Sequence, residues 1–320
     1  MKSTMRVSTA LAACLAAVFM FKVSVHGQGR AQGAAAAPDR KEELSETYRG
    51  SKARDIEYQK IAPFKVMDDL FYVGPGFVSA WIIPTTQGLI MIDTAQEPYV
   101  DTEIENIRKV GFDPKDIKYI LLSHGHLDHF GGANKIQKLS GAKVALSGID
   151  CDFMAKGAAA RPPKAGDEPP TCDMRLKEGD TIKLGKTEIK VYIMPGHTPG
   201  STTYEFTTHE NGKGYKTLVM GGPGGAANLE GAQQFLETAN RLNKFLDVQV
   251  AANVHSWLNG YHYPNGGLLE RRDKLAARKP GEPNPFVDNV SWRQWVKMAQ
   301  DGAKQALADE QKKAATAKTQ

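Results

Sequence analysis

Four side chains able to bind a transition metal fall within six residues, His124-Gly125-His126-Leu127-Asp128-His129. A continuous helix turns by about 100° per residue and cannot aim all four at one point. A strand that ends in a tight loop can, because neighbouring side chains there fan into one cavity. The flanks agree. Residues 117–122 are an apolar run interrupted only by Lys118, read as a strand buried on both faces, and Gly131-Gly132 opens a helix. Several imidazoles with a single carboxylate suit zinc, whereas calcium and magnesium take oxygen shells. Partners for the cluster must come from other strand ends, and two histidines stand there. His197 lies in the turn Pro195-Gly196-His197-Thr198-Pro199-Gly200-Ser201, after an alternating strand, and His255 closes the last apolar strand. His209 and His262 have no companion motif and are expected to be structural.

The remaining pattern is mixed. Short β-rich runs at 71–73, 78–83 and 89–92, split by glycine turns, predict an antiparallel meander. Pro98 opens a helix with Val100, Ile104, Ile107 and Val110 at helical spacing, closed by Gly111. A second helix is expected over 132–139 and a strand over 144–146. The Pro-rich segment 151–172 reads as a long loop. Strands follow at 181–184, 189–193, 202–206 and 217–220, the last two flanking an Asn211-Gly212 turn. A helix over 229–246 and a strand over 248–254 come next. Ser291 and Gln294 form a capping-box pair ahead of a helix with the buried stripe Trp292, Trp295, Ala299, Ala303 and Ala306. Strands and helices thus fall into two similar sets, each a mixed sheet with helices outside, an α+β class.

Residues 7–21 are apolar, follow Lys2 and Arg6, and give way to small and polar residues, so 1–27 read as a cleaved signal peptide. Cys14 in Leu11-Ala12-Ala13-Cys14 offers the alternative of a lipoprotein. The run is short for a membrane span, and none is expected in the mature chain. The mature protein is expected to be periplasmic or secreted. Losing Lys2, Arg6 and Lys22 lowers the formal charge from +5 to +2, too weak to argue for nucleic acid. Residues 28–60 read as a linker with a short helix, 61–280 as the main domain, and 281–320 as a helix with a frayed tail. Cys151 and Cys172 remain, and an oxidising compartment favours a bridge, with zinc ligation the alternative. Oligomeric state is not legible in this pattern.

The histidine cluster, the turn around His197 and the strand-end His255 resemble the metallo-β-lactamase fold superfamily, most closely subclass three of the class B β-lactamases. The likeness extends over Pro63-Phe64, Tyr72-Val73-Gly74, Ile92-Asp93-Thr94, Leu122-Ser123-His124, Gly141-Ala142-Lys143-Val144 and Gly179-Asp180-Thr181. It implies a four-layer αβ/βα sandwich with the metal site along one sheet edge. It also implies two zinc ions, one held by His124, His126 and His197, the other by Asp128, His129 and His255. The expected reaction is opening of a β-lactam ring in a small-molecule substrate by zinc-activated hydroxide, with Asp128 ligating zinc and orienting the nucleophile. Asp93 reads either as an acid that orients ligand histidines or as a turn aspartate. Ser201, Gly222 and Gly224 are the expected substrate-binding positions.

Two departures bear on substrate. Glyoxalases, lactonases and phosphodiesterases of the superfamily place a metal-bridging aspartate at the end of the strand after the third ligand, and here that strand runs into Met220-Gly221-Gly222 with no acid. Subclass-three enzymes carry serines where Gly222 and Gly224 stand. The alternatives are a zinc hydrolase of another ester, lactone, thioester or amide, or a non-catalytic zinc-binding protein, whose support is the basic, Trp-bearing tail.

Overall fold

β-Branched and aromatic runs, cut by glycine and proline turns, pair into two sheets in this computed structural model, which describes residues 42–222, 224, 228–255 and 265–318. The expected signal peptide lies outside them. The first sheet holds β1 (Phe64–Met67), β2 (Leu70–Tyr72), β3 (Trp81–Thr85), β4 (Gly88–Ile92), β5 (Ile117–Leu121), β6 (Lys143–Ser147) and β7 (Met174–Leu176), side by side in chain order. β1 to β4 form an antiparallel meander, and β4 to β7 run parallel. The second sheet holds β8 (Thr181–Leu184), β9 (Thr187–Ile193), β10 (Thr202–Glu210), β11 (Lys213–Met220) and β12 (Val250–Ala251), in the order β12-β11-β10-β9-β8. It is antiparallel except for the parallel β11–β12 pair. Asn211 and Gly212 join β10 to β11 with φ of 52° and 77°, the positive values a two-residue hairpin turn needs.

Four layers result. The inner faces of the sheets meet through Trp81, Ile90 and Leu121 on one side and Val191, Tyr204 and Val219 on the other. Helices Val100–Lys109 and Ala133–Ser140 cover the outer face of the first sheet, with Ile107 and Ile136 against Met91, Ile120 and Val144. On the far side, Leu218 and Met220 of the second sheet pack against Trp292, Trp295 and Ala299 of the helix Asn289–Lys318. This is the αβ/βα sandwich expected from the sequence.

Four local expectations are corrected. Residues 148–160, counted largely as loop, form the helix Gly148–Ala160, because the Ser147 hydroxyl caps it by accepting from Asp150 N and an Ala-rich run sustains it. The strand expected over 248–254 pairs only at Val250–Ala251 and then leaves the sheet, with Val254 O accepting from Ser79 N instead. The helix expected over 229–246 is α-helical over Leu229–Arg241 and tightens to a 3-10 turn at Leu242–Phe245. The last helix is capped by Asp288, whose carboxylate accepts from Ser291 N, so Ser291 lies inside it. A disulfide joins Cys151 to Cys172. No helix among the described residues is long and apolar enough to cross a membrane.

Candidate metal centre

Three chain segments deliver the six donors. β5 ends at Leu121, and the loop after it carries His124 and His126 into a single helical turn, Leu127–Phe130, that carries Asp128 and His129. His197 comes from the turn after β9, and His255 from the chain leaving β12. The result is two groups, His124, His126 and His197 in one and Asp128, His129 and His255 in the other, each with donor atoms within 4.8 Å of one another. The groups adjoin, since the His124 and His129 rings lie 4.0 Å apart. In the first, His126 Nδ1 is 3.0 Å from His197 Nε2. In the second, His129 Nε2 is 3.2 Å from His255 Nε2 and 3.5 Å from Asp128 Oδ2. All are buried except the half-buried His126 and His197.

Four of the five rings are aimed by their other nitrogen. Asp93, at the end of β4 with φ of 56°, takes its two oxygens to Ser123 and His129. Oδ1 accepts from Ser123 N at 2.6 Å, and Oδ2 accepts from Ser123 Oγ at 2.6 Å and from His129 Nδ1 at 2.8 Å. Ser123 Oγ in turn lies 3.0 Å from His124 Nδ1, so one carboxylate orients a donor in each group. Of the two sequence expectations for Asp93, orientation of ligand histidines matches this geometry, and the left-handed backbone makes it a turn residue as well. Carbonyl oxygens accept from two more rings, Gly224 O from His197 Nδ1 at 3.0 Å and Phe77 O from His255 Nδ1 at 3.1 Å.

The buried Asp150, which sequence reasoning missed, clamps the first group. Its carboxylate accepts from Gly125 N at 2.8 Å, Gly200 N at 2.7 Å and Thr198 Oγ1 at 2.6 Å, tying the loop of His124 and His126 to the turn of His197. Ser201 is buried in the same network, its hydroxyl 3.1 Å from Thr198 N and 2.7 Å from Thr198 Oγ1. Its hydroxyl therefore braces the turn. Gly222 and Gly224 have φ of 103° and 113°, and a Cβ at Gly222 would lie 3.2 Å from the His197 ring. A Cβ at the preceding Gly221 would overlap Thr202 O. The end of β11 is thus bare backbone pressed against the first group. Arg49, also missed, reaches in from the helix Leu44–Arg49, with Nη1 2.6 Å from His255 Nδ1.

Electrostatics fit a cation. Burial holds His124, His126 and His255 below the ordinary imidazole value and His197 down to about 3, which leaves them neutral and free to ligate. Burial opposes a proton on His129 too, yet the Asp128 and Asp93 carboxylates overcome it and push the ring up to about 9. Burial alone would raise Asp128, and His129, His255 and Arg49 instead hold it well below the carboxylate range. A cation among these groups satisfies the same negative charge as the His129 proton. His124 Nε2 is buried and meets no hydrogen-bond partner among the described residues, an imidazole lone pair aimed into the cluster. Five imidazoles and one carboxylate are a zinc donor set.

Comparisons with known proteins agree with this fold. Residues 73–209 match the family model of the Metallo-beta-lactamase superfamily. BJP-1, a subclass B3 metallo-beta-lactamase of Bradyrhizobium japonicum, superposes with a TM-score of 0.68 over 81% of this chain and 99% of its own, at 27% identity. The class B3 di-zinc metallo-beta-lactamase LRA-12 from an Alaskan soil metagenome superposes with a TM-score of 0.63 over 77% of this chain and 94% of its own, at 25% identity. In sequence, a hydroxyacylglutathione hydrolase of Methylobacterium sp. (strain 4-46) is 30% identical over 52% of this chain and 54% of its own length, so the match spans about half of that relative.

Proposed function

We infer that this chain, which carries a metallo-β-lactamase superfamily domain, is a zinc-dependent hydrolase that opens the β-lactam ring of a small-molecule substrate. One observation carries the inference: two three-donor groups adjoin at the sheet edge while the end of β11, Met220-Gly221-Gly222, presents no carboxylate. The resemblance noted above associates a carboxylate there with the superfamily's thioester, lactone and phosphodiester hydrolases and its lack with the β-lactamases. His124, His126 and His197 would hold one zinc, and Asp128, His129 and His255 a second. Zinc so held supplies Lewis acidity toward a carbonyl and acidifies water to near pH 7.

The protein's own groups do the positioning. Asp93 keeps protons on Nδ1 of His129 and, through Ser123, of His124, so both rings present Nε2. Asp150 and Ser201 fix the His197 turn against the loop of His124 and His126. Asp128 remains ionised at neutral pH, and its carboxylate can both ligate and accept a hydrogen bond from attacking water. Gly222, whose backbone lies against the His197 ring, and Gly224 present no side chain to the substrate. The signal peptide read in residues 1–27, together with the disulfide, supports action in the periplasm or outside the cell.

A second function, thioester hydrolysis, is favoured by the sequence match to hydroxyacylglutathione hydrolases. A direct comparison separates the two. Zinc-loaded protein is expected to open a penicillin, a cephalosporin or a carbapenem, to lose this with a chelator, and to regain it with zinc. Asp128→Ala is expected to cost at least about 100-fold. Faster turnover of acyl-glutathione thioesters, with every β-lactam left intact, would replace the first function by the second.

A further inference from the structure

The segment before β1, expected to be a linker with a short helix, reaches the donor cluster through the helix Leu44–Arg49. Ser45 is buried and bound to Glu270 of the helix Leu268–Ala276, Ser45 N to Oε1 at 2.8 Å and Oγ to Oε2 at 2.5 Å. The Gln59 amide donates to Tyr48 O and Lys52 O at 2.8 Å each, and Gln59 O accepts from Gly76 N at 2.9 Å. The Tyr48 ring lies where a Cβ on Gly76 would stand, so the strap is keyed to the loop that bears Phe77. These ties fix one end of the helix Leu44–Arg49 and deliver its last side chain, Arg49, to the cluster.

The half-buried guanidinium there is short of acceptors. Arg49 Nη1 lies 2.6 Å from His255 Nδ1 and 3.4 Å from Phe77 O, while His255 Nδ1 lies 3.1 Å from that same carbonyl. Zinc on His255 Nε2 would leave the ring proton on Nδ1, and the guanidinium and that N–H would then share one carbonyl oxygen. No carboxylate among the described residues comes within ion-pair distance of Arg49, although Asp128 acts on it from farther off. Nη2 and Nε make no hydrogen bond among those residues. A guanidinium with free donors, beside a second donor and half out of water, favours an anion, and its planar fork matches a carboxylate.

We propose that Arg49 anchors the carboxylate of the substrate at the rim of the donor cluster, next to His255. The assignment rests on the hydrolase proposed above, in which His255 is a zinc ligand. A carboxylate there places the rest of the substrate over both donor groups and pairs the Arg49 charge. Substrates without an anionic group near the reacting carbonyl lose this contact.

The test compares benzylpenicillin with its methyl ester on the full zinc-loaded chain, in wild type, Arg49→Ala and Arg49→Lys, with zinc content measured in each. Wild type is expected to bind the acid about tenfold or more tighter than the ester, read as KM. Arg49→Ala brings that ratio close to one at full zinc content, and Arg49→Lys keeps part of it. If wild type opens neither compound, the hydrolase proposal fails. Calorimetric Kd values for the same pair then stand in for KM, and an acid preference lost in Arg49→Ala still supports the anchor. An equal affinity for acid and ester in wild type, a ratio unchanged in Arg49→Ala, or loss of zinc from both variants overturns it.

Discussion

Asp93 shows how much one side chain can determine. Non-glycine residues with positive φ are uncommon, and aspartate tolerates that backbone better than most. Its carboxylate orients His129 directly and His124 through Ser123, one donor from each group. Asp93→Asn replaces one accepting oxygen by a donor and breaks one of these links. Zinc affinity is expected to fall about 10- to 100-fold, read by competition with a chromophoric chelator. An unchanged affinity would mean that packing alone sets the rings. At this scale the sequence was most legible for residues close together along the chain, His124 to His129, and for histidines marked by turns. Arg49 and Asp150 escaped because their partners are far off in sequence. Arg49 meets His255 206 residues away, and Asp150 meets Gly200 50 residues away. For Asp150 the Ser147 cap three residues earlier was a readable sign; for Arg49 there was none.

Among the elements, the helix Val100–Lys109 buries a charge-bearing group that the metal centre does not use. Glu103 Oε1 accepts from Ala95 N at 2.9 Å, Oε2 has no partner among the described residues, and desolvation, with Asp93 adding to it, pushes the carboxyl up to about 8. An unfolded glutamate loses its proton near 4.5. Between these values the native chain keeps a proton that the unfolded chain has lost, so this group's contribution to stability declines as pH rises from 4.5 through about 8. Glu103→Gln keeps the acceptor for Ala95 N and cannot ionise. The Tm of the variant, scanned by calorimetry, should fall less across that window than the wild-type value, and parallel curves would place the charge of Glu103 elsewhere. Elements with strong apolar periodicity, such as this helix and β5, were plain in the sequence. The helix Gly148–Ala160 was obscured by the prolines that follow it, and β12 was overread because an apolar run does not reveal where pairing stops.

The whole molecule depends on its last helix. Trp292 and Trp295 stack at 5.2 Å and are fully buried against the second sheet. Removing a buried tryptophan costs about 3–5 kcal/mol, and domains are stable by about 5–15 kcal/mol in total. A chain ended at residue 288 should therefore fail to fold, whereas one ended at 306 keeps every fully buried residue of that helix and should melt within a few degrees of the full chain. Circular dichroism melts of the two test this, and a cooperative transition in the shorter chain would refute it. The expected stripe of Trp292, Trp295, Ala299 and Ala303 is the one that docks, with Ala306 partly covered. The order of strands within each sheet, by contrast, is set by long-range pairing and was not written in any local run.

The donors arrive from β5 in one sheet and from β9 and β12 in the other, so the centre bolts two separately hydrogen-bonded slabs together. Sliding one slab past its neighbour by a single residue would displace a ligand about 3.3 Å, while metal–ligand bonds tolerate only about 0.2 Å. The greasy interface around Trp81 and Tyr204 is therefore also a locating pin, and loosening it would scatter the six donors well before the chain came apart.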